Sequence, residues 1–458
     1  MLSILANATY RRLFGAQVLS LLGTGLTTVA LGLLAWELAG AEAGLVLGTA
    51  LAIKMIAYVG IAPIAGALAG RFPRRSFLVG LDLFRAGMVL LLPFVTEVWQ
   101  IYALVFLFQA SSAAFTPTFQ ATIPDVLTDE KDYTAALSLS RLAYDLEALA
   151  SPLLAGLALT LVSFHWLFVG NAVGFLASAA LVLSAALPTV IEPATQRGFR
   201  ERLTRGAWIY LATPRLRGLL ALSFAVASAG AMVIVNTVVV ARERLGGGEE
   251  TVAFLFSAYG LGSMLVALTL PRLLDRIEAR TAMLAGGGAL ATLMALGPLA
   301  ASWTAALVVW ALVGAAAALV QTPSGLLLRR SSHAEDRPAL FAAQFALSHA
   351  WWLVAYPAAG WVGARLGLDA AFALMAVGAA GGALAAALVW PRHDPAEIEH
   401  AHEAIEHDHG AVDDDHHAPG ALAAGAAGRR HRHRPFRHVH AFVIDDHHPR
   451  WPGPRPTG

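Results

Sequence analysis

From Leu13 to Trp390 the sequence is a succession of apolar runs, each long enough for a bilayer crossing, broken by short polar segments rich in arginine. A helix needs ~20 apolar residues to cross the hydrocarbon core. Twelve such runs fall at 13–36, 43–69, 76–96, 98–121, 135–162, 166–188, 216–240, 251–271, 279–299, 303–327, 338–364 and 369–390. Charged residues make up only 14% of the 458, against roughly 25% in soluble domains. A soluble multidomain enzyme is excluded on that ground. A membrane barrel would show short alternating segments instead of long Ala/Leu/Val runs. The expected class is an all-α polytopic membrane protein.

The arginines set the expected orientation. One set of interspan segments carries 19 Lys and Arg residues, and the alternate set carries only Arg242, Arg244 and Arg365. Positive charge is retained on the cytoplasmic side. Both termini and the long middle segment are therefore expected in the cytoplasm, with the chain in a bacterial inner membrane. A net charge of +1 gives no reason to expect nucleic acid as a partner. With no cysteine in the chain, thiolate metal sites and Cys nucleophiles are excluded. No phosphate-binding Gly-x-x-x-x-Gly-Lys-Ser/Thr loop occurs, and no nucleophile–base set appears in the loops, so an enzyme is not expected.

Landmarks recur along the chain. Arg71 and Arg276 stand 205 residues apart, as do Pro152 and Pro357, while Thr116-Pro117 and Thr322-Pro323 are offset by 206. The expected organisation is a six-helix half over 1–188, a linker over 189–215, a second six-helix half over 216–391 and a tail over 392–458. Parallel six-helix repeats with a binding site between them are a transporter plan.

The stretch Gly66-Ala-Leu-Ala-Gly70-Arg71-Phe-Pro-Arg74-Arg75 resembles the loop signature Gly-x-x-x-Asp-Arg-x-x-Arg-Arg of the major facilitator superfamily. The sequence departs from it by placing Gly70 at the Asp position. The second copy keeps the acid, in Asp275-Arg276 followed by Arg280. The resemblance covers about residues 10–391 and implies that this motif locks the two halves. Phe115-Thr-Pro117, Ile123-Pro124-Asp125 and Ala135-Ala136-Leu137 are similar to the drug- and siderophore-exporter branch.

Ionisable side chains inside a membrane are costly and are functional candidates by default. Gln17, Ser20, Thr24 and Thr27 share one helical face, either as a wet cavity wall or as helix–helix hydrogen-bonding groups. Arg141 and Asp145 are four apart and able to pair. Asp145 and Glu147 point to nearly opposite faces of one helix. They cannot hold one ion together, so one carboxylate is expected to pair with Arg141 while the other takes a cation or proton. His349 is a candidate metal ligand or proton carrier, or a hydrogen-bonded packing residue. Lys54 is a gating partner or a snorkelling residue. Asp82 and Arg85 are read as a local structural pair.

After Pro391 the composition changes. Of 16 histidines, 13 lie in the last 66 residues. Residues 393–417 hold His400, His402, His407, His409, His416 and His417 among nine acids and no Lys or Arg. A Gly/Ala stretch follows, then a basic part containing His431, His433, His438 and His440. Such a segment is expected to be largely disordered. One short helix is expected from Asp394-Pro395-Ala-Glu397, a capping box with proline in the first turn. It would place Glu399, His402, Glu406 and His409 on one face. Clustered imidazoles and carboxylates suit Ni, Co, Zn or Cu in the divalent state.

The twelve spans with this tail, together with the runs Leu139–Glu147 and Ala343–Trp351, resemble the bacterial nickel-resistance permeases of that superfamily. The resemblance implies export of Ni(II), with Co(II) as a second cargo, by proton antiport, from a monomer with no tightly bound cofactor. The polar and charged groups inside the spans give the expected path, through Asp145, Glu147, His349, Arg141, Gln17 and Thr24. The resemblance implies a gating motif at Arg71, Arg74, Arg75, Asp275, Arg276 and Arg280. A drug or siderophore exporter with an incidental metal-binding tail is the alternative.

Overall fold

The computed structural model describes residues 2–39, 43–69, 72–188, 199–247, 249–392, 394, 397–402, 406–408, 430–432, 436–445, 448 and 450–451. The chain divides into two compact units, Met1–Pro391 and Arg392–Gly458.

The first unit is helical. Its elements are α1 (Ala8–Ala39), α2 (Ala43–Ala69), α3 (Arg74–Leu91), α4 (Val98–Val126), α5 (Glu130–Leu159), α6 (His165–Ser184), α7 (Phe199–Ala212), α8 (Pro214–Val239), α9 (Glu249–Leu274), α10 (Ala279–Leu296), α11 (Trp303–Gln321), α12 (Ser324–Arg330), α13 (Arg337–Leu366) and α14 (Leu368–Val389). Helices are the form that satisfies every backbone group inside one apolar segment. Local signals set several ends. Glu97 and Gln100 close a capping box on α4, and the Asp129 side chain accepts from the Lys131 and Asp132 amides at the start of α5. Gly367, at φ +89°, turns the chain from α13 into α14, where a side chain would be strained. α10 begins and ends 205 residues after α3, and each is followed by a short 3₁₀ turn at the same spacing.

Nine helical segments among the described residues are long and apolar enough to cross a membrane. Helices α2, α5 and α13 are 27, 30 and 30 residues long but fall outside that set. They carry Lys54, then Arg141, Asp145 and Glu147, then His349. These same three make the most extensive contacts between the first six helices and the rest, α2 with α13 and α5 with α9, with α4 also against α13. A helix facing other helices over much of its surface can carry charge that a lipid-facing helix cannot.

Burial runs opposite to that of a soluble domain. Asn171, Ser178 and Asp82 are fully buried, while Leu161 is 86% and Leu388 77% exposed. Small residues let backbones touch. A Cβ on Gly262 would lie 1.8 Å from the Ala311 carbonyl oxygen, and one on Gly314 would lie 1.9 Å from that of Tyr259. The α9–α11 contact is thus closed by glycine from both sides.

In the second unit the strands β1 (Glu397–His402) and β4 (Phe436–Ala441) pair antiparallel, as do β2 (Glu406–Asp408) and β3 (Arg430–Arg432). Among the described residues the helix expected after Asp394 is therefore corrected to a strand. A helix cap contributes ~1 kcal/mol. The β-branched and aromatic residues of the arms, Ile398, Phe436 and Val439, favour a paired strand instead.

Candidate functional site

The charged turn of α5 lies where the first helices meet the later ones. Arg141 Nη2 is 3.0 Å from Asp145 Oδ1. Arg141 Nε donates to Ser263 Oγ of α9 at 2.8 Å, and Nη1 donates to Gln321 Oε1 of α11 at 3.3 Å. One guanidinium thus holds a carboxylate of its own helix and two hydroxyl or amide acceptors across the contact. Asp145 Oδ2 is buried and accepts no hydrogen bond among the described residues.

Glu147 faces another way. Its Oε1 accepts from Ser151 Oγ at 3.4 Å, and a Cβ on Gly25 of α1 would lie 2.4 Å from that oxygen. The two carboxylates are therefore divided between α9 and α1, as their spacing on the helix requires.

His349 sits on a column of rings between α2 and α13. Its ring centroid is 5.0 Å from that of Tyr58 and 4.2 Å from that of Phe345. Its Nδ1 is 2.7 Å from the Phe345 carbonyl oxygen. With Nδ1–H donating there, Nε2 carries the free lone pair. Tyr58 donates its hydroxyl to Gln109 Oε1 at 3.1 Å, and Lys54 Nζ lies 5.4 Å from the Tyr58 ring. Lys54 is close enough to both Glu147 and His349 for its charge to act on them.

The polar stripe of α1 bonds to other helices or to itself. Gln17 Oε1 accepts from Ser140 Oγ at 3.0 Å, and Thr27 Oγ1 accepts from Asn171 Nδ2 at 2.6 Å. Thr24 Oγ1 donates to the Ser20 carbonyl at 2.9 Å. Asp82 and Arg85 form a buried pair, with Ser178 donating to Asp82 and the guanidinium stacked between Phe115 and Phe175.

Among the described residues no three His, Asp or Glu side chains gather closely enough to hold a metal ion. Asp145 lies toward α9, Glu147 toward α1 and His349 toward α2, and the three are not a chelating trio.

A second set of charges lies at the end bearing the arginine-rich segments. Asp125, at the last turn of α4, pairs with both Arg74 and Arg337. Arg74 also donates to the Ala334 carbonyl at 3.3 Å. Arg205 of α7 holds Asp336 through Nε at 3.2 Å and Nη2 at 3.1 Å. Arg330 pairs with Glu130, and Arg329 donates to the Thr128 carbonyl. Tyr210 donates to Gln344, and burial pushes its phenol well above its ordinary pKa. Of the motif residues, Gly70 and Arg71 lie outside the described residues, and Arg75, Asp275 and Arg276 are exposed. Arg280 donates to the Trp390 carbonyl at 3.0 Å, covering the C-terminal end of α14. Asp336, Glu130 and Asp125 bind this end together, Asp125 by holding two arginines. The motif did not point to it, because its two arginines come from separate regions of the chain.

In the tail, register places His400 opposite His438 and His407 opposite His431. His402 stands opposite Phe436, and His440 opposite Ile398. His409, His416, His417 and His433 lie outside the described residues.

Two family models match the sequence. One, described as "Transmembrane secretion effector", matches residues 1–326, and one described as "Major Facilitator Superfamily" matches residues 219–443. The uncharacterized MFS-type transporter YfiS of Bacillus subtilis (strain 168) is 29% identical over 122 residues, which is 27% of this chain and 29% of that relative's length. Among solved structures, the human organic anion transporter MFSD10 superposes with a TM-score of 0.71 at 14% identity, over 83% of this chain and 99% of that one. A bacterial homologue of the iron transporter ferroportin, in an outward-facing state, gives 0.66 at 15% identity, over 83% and 98%. The E. coli fucose:proton symporter FucP gives 0.66 at 16% identity, over 83% and 98%. At these identities the likeness is one of fold.

Proposed function

The chain belongs to the major facilitator superfamily, and on that premise we propose that it is a proton-driven exporter of a first-row divalent cation, with Ni(II) the first candidate and Co(II) the second. The observation that carries the choice of cargo is the tail, where 13 of 16 histidines are concentrated in the last 66 residues. Imidazole and carboxylate together select divalent first-row metals, and the absence of thiols disfavours Cu(I). The reading includes twelve spans in two six-helix repeats, 1–188 and 216–391, a connecting segment 189–215, and both termini on the cytoplasmic face of a bacterial inner membrane. The tail would raise the local metal concentration at the cytoplasmic mouth.

The membrane unit supports the proton half of this reading. Carboxylates and imidazole bind metal only when deprotonated, so metal and proton compete for the same groups. His349 packs on Tyr58, one helical turn from Lys54 on α2, and Asp145 is tied to Arg141 at the contact between α5 and α9. Protonation of a carboxylate here changes what its cationic neighbour can hold. That gives proton entry a direct effect on the cross-bundle bonds of Arg141.

One observation favours a second reading, an exporter of an organic solute such as a drug or siderophore. Among the described residues of the membrane unit no trio of metal ligands gathers, and Lys54 would repel a bare cation. The experiment that separates the two is radioactive nickel uptake into everted inner-membrane vesicles under an imposed pH gradient, with zinc and cobalt as competitors. Uptake abolished by a protonophore is expected. No uptake of any of these metals overturns the metal reading in favour of the organic one.

A further inference from the structure

Buried polar groups almost always find a hydrogen-bond partner, and one that does not calls for an explanation. At the arginine-rich end, α5 packs on α12 and α4 on α13. Here the Tyr133 hydroxyl, Arg329 Nη1 and Arg337 Nε are all buried, and none has a hydrogen-bond partner among the described residues. Tyr133 is 1% exposed. Its ring lies 5.4 Å from Cζ of Arg329, and Arg329, Arg337 and Asp125 all stand near enough for their charges to act on its hydroxyl. Gly325 of α12 leaves that hydroxyl its room, since a Cβ there would lie 2.7 Å from it. The nearby acids are engaged elsewhere. Asp125 gives one oxygen to Arg74 and the other to Arg337, Glu130 pairs with Arg330, and Asp336 is held by Arg205. Arg329 has the Thr128 carbonyl for its Nη2. The three unpartnered groups are all donors, two guanidinium N–H groups and a phenol O–H. Their common want is an acceptor of negative charge.

We propose that Tyr133 of α5, Arg329 of α12 and Arg337 of α13 form a binding site for a phosphate-type oxyanion, which joins the two groups of helices at the arginine-rich end. Guanidinium N–H groups make charge-assisted hydrogen bonds to such oxygens, and arginine is the favoured side chain where phosphate is recognised. A tetrahedral oxyanion presents oxygens in several directions, so one can accept from the phenol while others accept from the two guanidiniums. The carboxylate already present, Asp125, has both oxygens occupied. α5 belongs to the first six helices, and α12 and α13 to the later ones. A bound anion therefore adds a second bridge beside that of Asp125 and offsets the repulsion between Arg329 and Arg337. The side chains of Arg74 and Arg337 keep 12% and 16% exposure, which leaves the cluster open to solvent at this end. Inorganic phosphate and the phosphate of a membrane lipid share the required chemistry. The site uses neither the tail nor the groups of the transport path, so it stands apart from the exporter reading.

The test uses the purified full-length protein, stripped of lipid in detergent, with radioactive inorganic phosphate followed by equilibrium dialysis at fixed ionic strength. Saturable binding is expected. Tyr133→Phe and Arg329→Gln should each raise the dissociation constant about tenfold or more, the loss for one hydrogen bond to a charged group. Without phosphate, Tyr133→Phe should melt no lower than the parent, because it deletes a buried hydroxyl that has no partner among the described residues. That separates loss of the ligand from loss of the fold. Arg365→Gln removes an exposed charge at the far end of α13 and should bind phosphate like the parent. A second arm places the protein in phosphatidylcholine vesicles with or without phosphatidate. It reads the distance between spin labels at Lys131→Cys and His333→Cys, in a chain with no other cysteine. Binding of free phosphate that Tyr133→Phe weakens supports the site with the soluble ion as ligand. A shorter distance with phosphatidate, absent in Tyr133→Phe, supports it with a lipid headgroup. No response in either arm overturns the site. So does a response that Tyr133→Phe leaves unchanged, or that Arg365→Gln weakens equally.

Discussion

Arg337, in the first turn of α13, pairs with Asp125, in the last turn of α4, across 212 residues of sequence. Asp125 holds Arg74 at the same time. One carboxylate therefore ties together the two groups of helices at the arginine-rich end.

Asp125→Asn should release that end. Breaking a buried pair by removing one partner costs on the order of 3–5 kcal/mol, and the partial exposure of both arginines puts the expected loss near the lower bound. Spin labels at Lys131→Cys and His333→Cys should move apart in pulsed distance measurements, and transport should fall about tenfold or more. An unchanged distance with full transport would remove the clamp role from Asp125.

Asp145→Asn leaves Arg141 beside Ser263 and Gln321 with no counter-charge. A penalty of ~3 kcal/mol corresponds to a loss of transport on the order of 100-fold. Exchanging the two residues, Arg141→Asp with Asp145→Arg, should recover part of it. Glu147→Gln tests the other carboxylate. Full transport in both Asp145→Asn and Glu147→Gln would exclude α5 from the coupling.

Gly314→Ala places a Cβ against the Tyr259 carbonyl oxygen. Overpacking of this kind costs about 1–3 kcal/mol, read as a lower melting temperature in detergent. Gly288→Ala meets nothing within 4 Å and should melt like the parent. Equal melting of the two variants would show that the α9–α11 contact relaxes freely.

Ending the chain after Pro391 should raise the cytoplasmic nickel level needed for half-maximal export and leave the maximal rate intact. Imidazole ligates only when neutral, and its ordinary pKa is ~6.5. Tail binding should therefore be full above pH 7 and weaken as pH falls through about 6. If export is lost entirely in the truncated chain, the tail belongs to the path itself.

Much of the membrane unit was legible in the sequence, because the length of an apolar run and the period of a helix are local properties. The charged turn of α5, with its Arg141–Asp145 pair and its divergent Glu147, was legible for the same reason. The partners of Arg141 on α9 and α11 were not, since Ser263 and Gln321 are ordinary polar residues until the fold brings them near. Asp125 was visible only as part of an Ile-Pro-Asp run, and the absent motif acid drew attention to Gly70 instead. The tail misled for a related reason. Asp394, Pro395 and Glu397 make a complete local signal for a helix, whereas pairing of β1 with β4 depends on residues some forty positions away.

The mutual seating of Gly262 and Gly314 has a mechanical consequence. Where two backbones touch with no side chain between them, neither helix can slide along the other without first lifting away. α9 and α11 should then behave as one stiff girder. Arg141 grips that girder at Ser263 and at Gln321, one point on each helix. A change of charge on α5 would be delivered to the later helices as torque on a solid body, turning them as a block and leaving their internal packing undisturbed.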